Sequence, residues 1–436
     1  MHSSTARFGA FLSLRGCSII RYVRCEFAHL GRLGWCSTRN LSWAVTPLPI
    51  VESGLKRFSD HRDPTCNPCY SYRVDHFRRI GALRRKLTRA GLPGLIVTHL
   101  PDLRYLSGFT GSSAALAITS RAGRLFTDGR YRVQAAEEVQ AARVEIVSGA
   151  PASGAIQWLA AQPGVEVAGF DPACTSVAEL ARWKAALPSS LRRAFLSALP
   201  APMVEPLRRI KDEDELALMI EAALVGCKLF DHMLGFIRPG LIEIEVAAEL
   251  EHQARLMGAE GMSFETIVAS GVRSALPHGR ATSATLPRRG FLTLDFGIIH
   301  GGYCSDMTRT VYLGRPKPEE RNAYNAVLEA QEAAVAAVSS GVRCDEVDEA
   351  ARSVLRREGL AEAFSHSTGH GVGLEIHESP RIGAGQATRL MPGMVVTIEP
   401  GVYLAGKFGI RIEDMVAVTP TGGQVLTPAP KALIEL

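Results

Sequence analysis

From Val74 onward, apolar positions recur with the period of one regular element after another. Phe77, Ile80, Leu83 and Leu87 fall at helical spacing and predict an amphipathic helix over residues 74–90, ended by Gly91 and Pro93. Residues 94–99 form a short apolar strand. Further strand signals follow at 114–119, 124–127, 143–147 and 165–170, with a helix at 131–141. Strands alternating with helices to about Leu199 predict an α/β domain, and Pro200-Ala201-Pro202 marks its end. Beyond it, helices are predicted over 212–237 (stopped by Pro239 and Gly240), 242–257, 319–339 and 344–358. Strand segments lie near Ile267, Leu292, Val311, Val395 and Ile412. Two helices, a hairpin, two helices and a hairpin predict an α+β unit of two similar halves, one facing the other. The expected domains are an extension over 1–72, a smaller α/β domain over 73–202 and a larger α+β domain over 203–436.

The first hairpin is the most informative segment. Leu292, Leu294 and Phe296 share one strand face, and Thr293, Asp295 and Gly297 share the other. His300, Gly301 and Gly302 supply the turn, and residues 303–313 return. With a two-residue loop at 300–301 or 301–302, Asp295 and Asp306 share a face, directly opposite or one diagonal step apart. Like charges placed there repel unless a cation lies between them. The alternative is a pair of solvated strand carboxylates.

The second hairpin repeats the pattern with glutamates. Glu399 ends a strand over 394–398, stopped by Pro400 and Gly401. Glu413 sits in a strand over 409–418, among Ile410, Ile412, Met415 and Val416, where a carboxylate is costly unless paired or bound to metal. Arg411, two residues away on the same face, offers Glu413 a buried ion pair as the other reading. His370 lies in a glycine-rich loop over 367–373, where Gly369, Gly371 and Gly373 permit close backbone approach. By itself it reads as an ordinary loop histidine. Together, four carboxylates and one imidazole can hold two divalent ions about 3.5–4 Å apart. An oxygen-dominated set suits Mn²⁺, with Zn²⁺, Co²⁺ or Fe²⁺ as rivals.

Bulk properties narrow the partners. The 436 residues, 46% hydrophobic, exceed one ordinary core. A net charge of +5 is small for this length and does not point to nucleic acid. No apolar run of about 18 residues predicts a transmembrane helix. Cys174, Cys227, Cys304 and Cys344 are scattered singly and read as buried free thiols of a reducing, cytoplasmic compartment. Residues 1–72 hold the other cysteines, including the lone pair Cys66 and Cys69. Arg15 interrupts their apolar run, so it fails as a secretory signal, and Pro47, Pro49, Pro64 and Pro68 argue against a long transit helix. The segment reads as a disordered tail, or as one outside the translated protein with Val74 at a misread alternative start.

The text LDFGIIHGGYCSDMTRT at 294–310, HSTGHGVGLEIHESP at 366–380, TIEPGVY at 397–403 and GIRIEDMV at 409–416 resembles the pita-bread metallopeptidases of the creatinase, prolidase and methionine aminopeptidase superfamily. The resemblance is to the Xaa-Pro aminopeptidase (aminopeptidase P) and prolidase branch. Pro277-His278-Gly279 resembles its upstream histidine motif, and residues 104–109 and 127–131 resemble its creatinase-like N-terminal domain more weakly. The resemblance implies a pita-bread fold for 203–436 and an Xaa-Pro aminopeptidase acting through a metal-bridging hydroxide. It implies Asp295 on one ion, Asp306 and Glu413 as bridges, and His370 and Glu399 on the other ion. Glu399 would take the proton of the water. His278 and His377 would donate to the substrate or tetrahedral intermediate, His366 would line the site near the leaving proline, and Arg411 would orient a ligand carboxylate. The implied substrates are peptides with proline second, and the implied assembly is a homodimer. Rival readings are a prolidase, which takes Xaa-Pro dipeptides only, and a non-catalytic peptide-binding relative.

Overall fold

The computed structural model describes residues 74–436, and the expectations for the segment before them lie outside the described residues. The α/β part runs α1 (His76–Arg89), β1 (Gly94–Val97), α2 (Leu100–Ser107), β2 (Ala114–Thr119), β3 (Gly123–Asp128), α3 (Arg132–Glu138), β4 (Arg143–Val147), α4 (Pro151–Ala160), β5 (Ala168–Phe170), α5 (Val177–Ala185) and β6 (Leu196–Ala198). Its six strands lie in the order β4-β3-β2-β1-β5-β6. Central β1 is buried on both faces, which is why it reads as an unbroken apolar run. Leu95 and Val97 pack with Ile80, Leu83 and Leu87 of α1, whereas Ile96 packs with Ile156 and Leu159 of α4 and Trp183 of α5.

Four expectations for this part are corrected. Phe77 is 65% exposed. The inner stripe of α1 starts instead at Arg79, whose guanidinium stacks 4.2 Å from the Tyr105 ring and pairs with Asp212 and Glu215. The helix expected over 131–141 is the shorter α3, preceded by a single 3-10 turn that Asp128 caps. The strand expected over 165–170 keeps only β5, because Val165 belongs to a turn in which its N–H bonds the Gln162 carbonyl. Cys174 also lies exposed after β5, while Cys227, Cys304 and Cys344 are buried free thiols.

The second part begins with the short α6 (Glu205–Arg208). It continues through α7 (Glu213–Phe236), α8 (Glu243–Leu256), β7 (Gly261–Met262), β8 (Ile267–Ser270), β9 (Gly290–Phe296), β10 (Ile298–His300), β11 (Tyr303–Cys304), β12 (Met307–Leu313), α9 (Pro318–Ala337) and α10 (Cys344–Arg357). It ends with β13 (Gly369–Gly371), β14 (Glu378–Ile382), β15 (Val395–Ile398), β16 (Gly401–Leu404), β17 (Phe408–Arg411), β18 (Asp414–Thr419) and β19 (Gly422–Val425). Asp212 and Glu215 form a reciprocal capping box that starts α7. Two helix-on-sheet layers result. Phe230 and Met233 of α7 and Val246 and Leu250 of α8 bury Leu292, Leu294 and Val311 of the β12-β9-β8 sheet. Tyr324 and Val327 of α9 and Val347 and Leu355 of α10 bury Val396, Ile398 and Val416 of the β14-β13-β15-β18-β19 sheet. The repeat suggested by element order is visible here.

Each half contains a long hairpin interrupted midway on both strands. The breaks fall at Gly297, at Ser305 and Asp306, at Glu399 and Pro400, and at Ile412 and Glu413. Gly297 is required at its break, because a Cβ there would sit 1.8 Å from the Ser305 carbonyl oxygen. Among the described residues no helix is long and apolar enough to cross a membrane.

Charged groups join the two parts. Arg79 reaches Asp212 and Glu215, and Glu215 accepts the Tyr303 hydroxyl at 2.8 Å. His99, at the start of α2, lies 3.5 Å from Asp102 and 3.2 Å from Glu375. Bonds to Asp102 and Glu375 raise the His99 imidazole to about 9, against burial, which lowers it. A raised folded-state value means its contribution is fully present below the ordinary 6.5 and is lost as pH climbs through about 9. Denaturant unfolding across that window is expected to show stability falling with pH, and His99→Gln to flatten that part of the curve. An unchanged slope in the variant would count against the ion pairs.

Candidate functional site

The broken hairpins bring their carboxylates together. Register pairs Asp295 with Thr308 and Phe296 with Met307, so Asp306 falls opposite Gly297, one diagonal step from Asp295. In the second hairpin Ile398 pairs with Asp414 and Gly401 with Arg411, so Glu399 and Glu413 occupy facing positions in the two breaks.

Two sequence expectations change here. Glu413 lies between β17 and β18, not inside one strand, and it is not the partner of Arg411. Because residues 412 and 413 leave the ladder, the same-face rule for residues two apart no longer holds. The Arg411 guanidinium instead donates to Asp295 Oδ2 at 2.5 Å, to Thr308 Oγ1 at 3.1 Å, to the Tyr403 hydroxyl at 2.6 Å and to the Pro277 carbonyl at 3.0 Å. The Thr308 hydroxyl in turn donates a hydrogen bond to Glu413 Oε2 at 2.7 Å. Arg411 thus ties an aspartate, the residue before His278 and, through Tyr403, the His366 ring.

His370 stands on the short strand β13, not in a loop. Gly369 permits this, since a Cβ there would lie 1.9 Å from the Thr397 carbonyl oxygen. The His370 Nδ1 faces the Gly371 carbonyl at 2.9 Å. A carbonyl only accepts, so Nδ1 carries the proton and Nε2 presents a lone pair. That Nε2 lies 3.6 Å from Asp306 Oδ2 and 3.7 Å from Glu399 Oε1. Burial holds the His370 imidazole down at about 4, which keeps it neutral.

This donor set fits divalent metal. Ligand atoms of Asp306, His370 and Glu413 all lie within 4.8 Å of one another. Asp295 Oδ1 is buried with no hydrogen-bond partner among the described residues. Burial, then Asp295, push the Glu413 carboxyl up to about 8, and burial with neighbouring acids raises Asp306 and Glu399 well above the usual carboxylate range. Buried acids so crowded lack the positive charge that cations would supply.

A cavity of about 840 Å³ opens over these groups, lined by all five residues together with Arg411, His278, His366 and His377. His278 and His377 are solvent-exposed on its wall. The His377 ring packs edge-on to His370, with centroids 4.4 Å apart. His366 has both nitrogens engaged, Nδ1 with the Ser367 carbonyl at 2.8 Å and Nε2 with the Tyr403 hydroxyl at 3.0 Å. Sequence reasoning missed Arg381, which also lines the cavity. It lies opposite His370 in the β13–β14 register, and among the described residues no carboxylate pairs with it. Only strand pairing reveals it, because nothing in its local spacing marks it.

Known proteins agree with this architecture. Residues 217–420 match metallopeptidase family M24, and residues 79–210 match the creatinase/prolidase N-terminal domain. An uncharacterized peptidase of Bacillus subtilis, YqhT, is 38% identical over 362 residues, 82% of this chain and all of its own. A structure described as the Xaa-Pro dipeptidase from Bacillus anthracis is 39% identical with a TM-score of 0.79, covering 83% of this chain and 100% of its own. The X-Pro aminopeptidase from Thermotoga maritima is 35% identical with a TM-score of 0.74, covering 80% of this chain and 100% of its own.

Proposed function

This chain belongs to metallopeptidase family M24, and we propose that it hydrolyses the Xaa-Pro bond at the N-terminus of short peptides. The observation that carries this is the meeting of Asp295, Asp306, His370, Glu399 and Glu413 in one cavity whose wall exposes His278 and His377. These five residues would hold two divalent ions, with Mn²⁺ favoured by the oxygen-rich set. Divalent ions held there would supply an acidified water and a Lewis acid for the carbonyl before proline. Glu399, which lines the cavity and faces Glu413 across the two breaks, would be the proton acceptor there. His278 and His377 donate to the oxygen that gains charge, and neutral His366, held by Tyr403, shapes the side of the leaving proline.

Substrate length turns on Arg381. A dipeptide ending in proline carries a carboxylate one residue beyond the cleaved bond, and Arg381 is a cavity-lining cation free to meet it. Together with the likeness to the Bacillus anthracis dipeptidase, this supports Xaa-Pro dipeptides as preferred substrates. The aminopeptidase activity expected from sequence is the second reading, favoured by the Thermotoga maritima likeness. Rates on Xaa-Pro and Xaa-Pro-Yaa, with chelator and after Mn²⁺ is restored, test both. Arg381→Ala is expected to raise KM for the dipeptide by about 10–100-fold while changing the tripeptide little. A wild-type preference for the tripeptide would move the assignment to the second reading. Turnover that survives chelation would end the metallopeptidase proposal.

A further inference from the structure

Arg208 is 2% exposed, yet it stands at the end of a four-residue helix on the segment between the two parts of the fold. Its guanidinium donates to Asp102 of α2 at 2.8 Å, to Glu375 at 2.7 Å and to Glu378. Lys211, 5% exposed, adds a bond to the other Glu378 oxygen at 3.1 Å. His99 closes the ring between Asp102 and Glu375. Three cations thus meet three carboxylates, and both glutamates belong to the loop that carries His377.

That loop is wrapped around the Glu378 carboxylate. The Glu375 N–H donates to Glu378 Oε1 at 3.2 Å, and a Cβ on Gly373 would come within 2.6 Å of Glu378 Oε2. His377 immediately precedes Glu378, so anchoring Glu378 fixes His377 to within one peptide unit, about 3.8 Å along the chain. Among the described residues the His377 ring makes no hydrogen bond of its own, only its edge contact with His370. Its placement is therefore left to its backbone, which is held by the pairing of Glu378 with Gly371, by the Cys304 N–H on the Gly373 carbonyl and, through the Glu378 carboxylate, by Arg208 and Lys211.

We propose that Arg208 is a positioning residue, clamping the 373–378 loop to the N-terminal part of the fold so that His377 stands at the metal centre. This rests on the substrate-facing role given to His377 above. Removing one member of a buried ionic network also weakens folding, so the test must separate placement from stability.

The full chain loaded with Mn²⁺ provides that test. Arg208→Met is expected to lower kcat on the preferred Xaa-Pro substrate by about tenfold, leave KM within about twofold and leave bound Mn²⁺ unchanged. In a His377→Ala background the same substitution is expected to cost less than about twofold, because the group it positions is gone. Arg208→Lys is expected to recover part of the rate. If Arg208→Met fails to fold, Glu378→Gln carries the same comparison. Equal losses in both backgrounds, or no loss at all, would overturn the proposal. If His377→Ala alone leaves kcat intact, the role of His377 fails instead, and the two failures are told apart.

Discussion

Replacing Asp306 with alanine is expected to lower kcat/KM on Xaa-Pro substrates by on the order of 10³-fold or more, with loss of bound metal. Asp306 is 4% exposed and stands in the break before β12, its Oδ2 aimed at His370 Nε2. It lies within ligand distance of both His370 and Glu413, so its loss opens the centre of the donor set and not its edge. Stability should move in the opposite direction. Burial and the Glu413 charge hold the Asp306 carboxyl well above its ordinary range, which marks its charged form as unfavourable in the metal-free fold. The metal-free variant is therefore expected to unfold at a temperature no lower than metal-free wild type, while Mn²⁺ no longer raises that temperature. Calorimetry with and without Mn²⁺, beside steady-state kinetics, reads both effects. Intact turnover in the variant would remove the basis for the site.

Arg411→Lys is expected to be nearly as damaging, lowering activity or metal affinity by about 10–100-fold. Lysine keeps the charge but not the planar fork. The guanidinium serves four partners in different directions: Asp295, Thr308, the Pro277 carbonyl and the Tyr403 hydroxyl. One ammonium cannot span them, so Asp295 loses its orientation, Thr308 loses the bond that aims it at Glu413, and Tyr403 no longer holds His366 by a fixed proton order. Metal titration and the pH profile of kcat/KM report the loss. A lysine variant equal to wild type would show that charge alone, not the fork, is what the site uses.

The legibility of this protein differed by scale. Alternation in residues 291–299 and the turn glycines were enough to place Asp295 and Asp306 on one face, because strand periodicity is local. They were not enough to choose between the opposite and diagonal arrangements, since the turn register depends on how Gly301 and Gly302 close. The apolar residues Ile410, Ile412, Met415 and Val416 predict a continuous strand through Glu413. At the break the Glu413 N–H turns to the Thr308 carbonyl of the first hairpin at 3.1 Å, a long-range bond that leaves no mark on hydropathy. For the same reason the alternative pairing of Arg411 with Glu413 is not formed, and the guanidinium bonds Asp295 instead. Phe77 looked like core and proved exposed, because an ionic contact from Arg79 claimed the inner position on α1.

By itself, the sequence determined the order of helices and strands and the α/β part followed by an α+β part, and it offered five oxygen- and nitrogen-bearing side chains as candidates for divalent cations. These follow from periodicity and residue chemistry, which act over a few neighbours. Only the tertiary structure decided that Arg411 serves Asp295, that Arg381 stands free beside His370, and that Arg208 ties the N-terminal part to the loop of His377. Those facts depend on groups up to 170 positions apart in the chain meeting across packed layers. Such meetings are set by how whole sheets pair and helices cover them, and no local pattern encodes them.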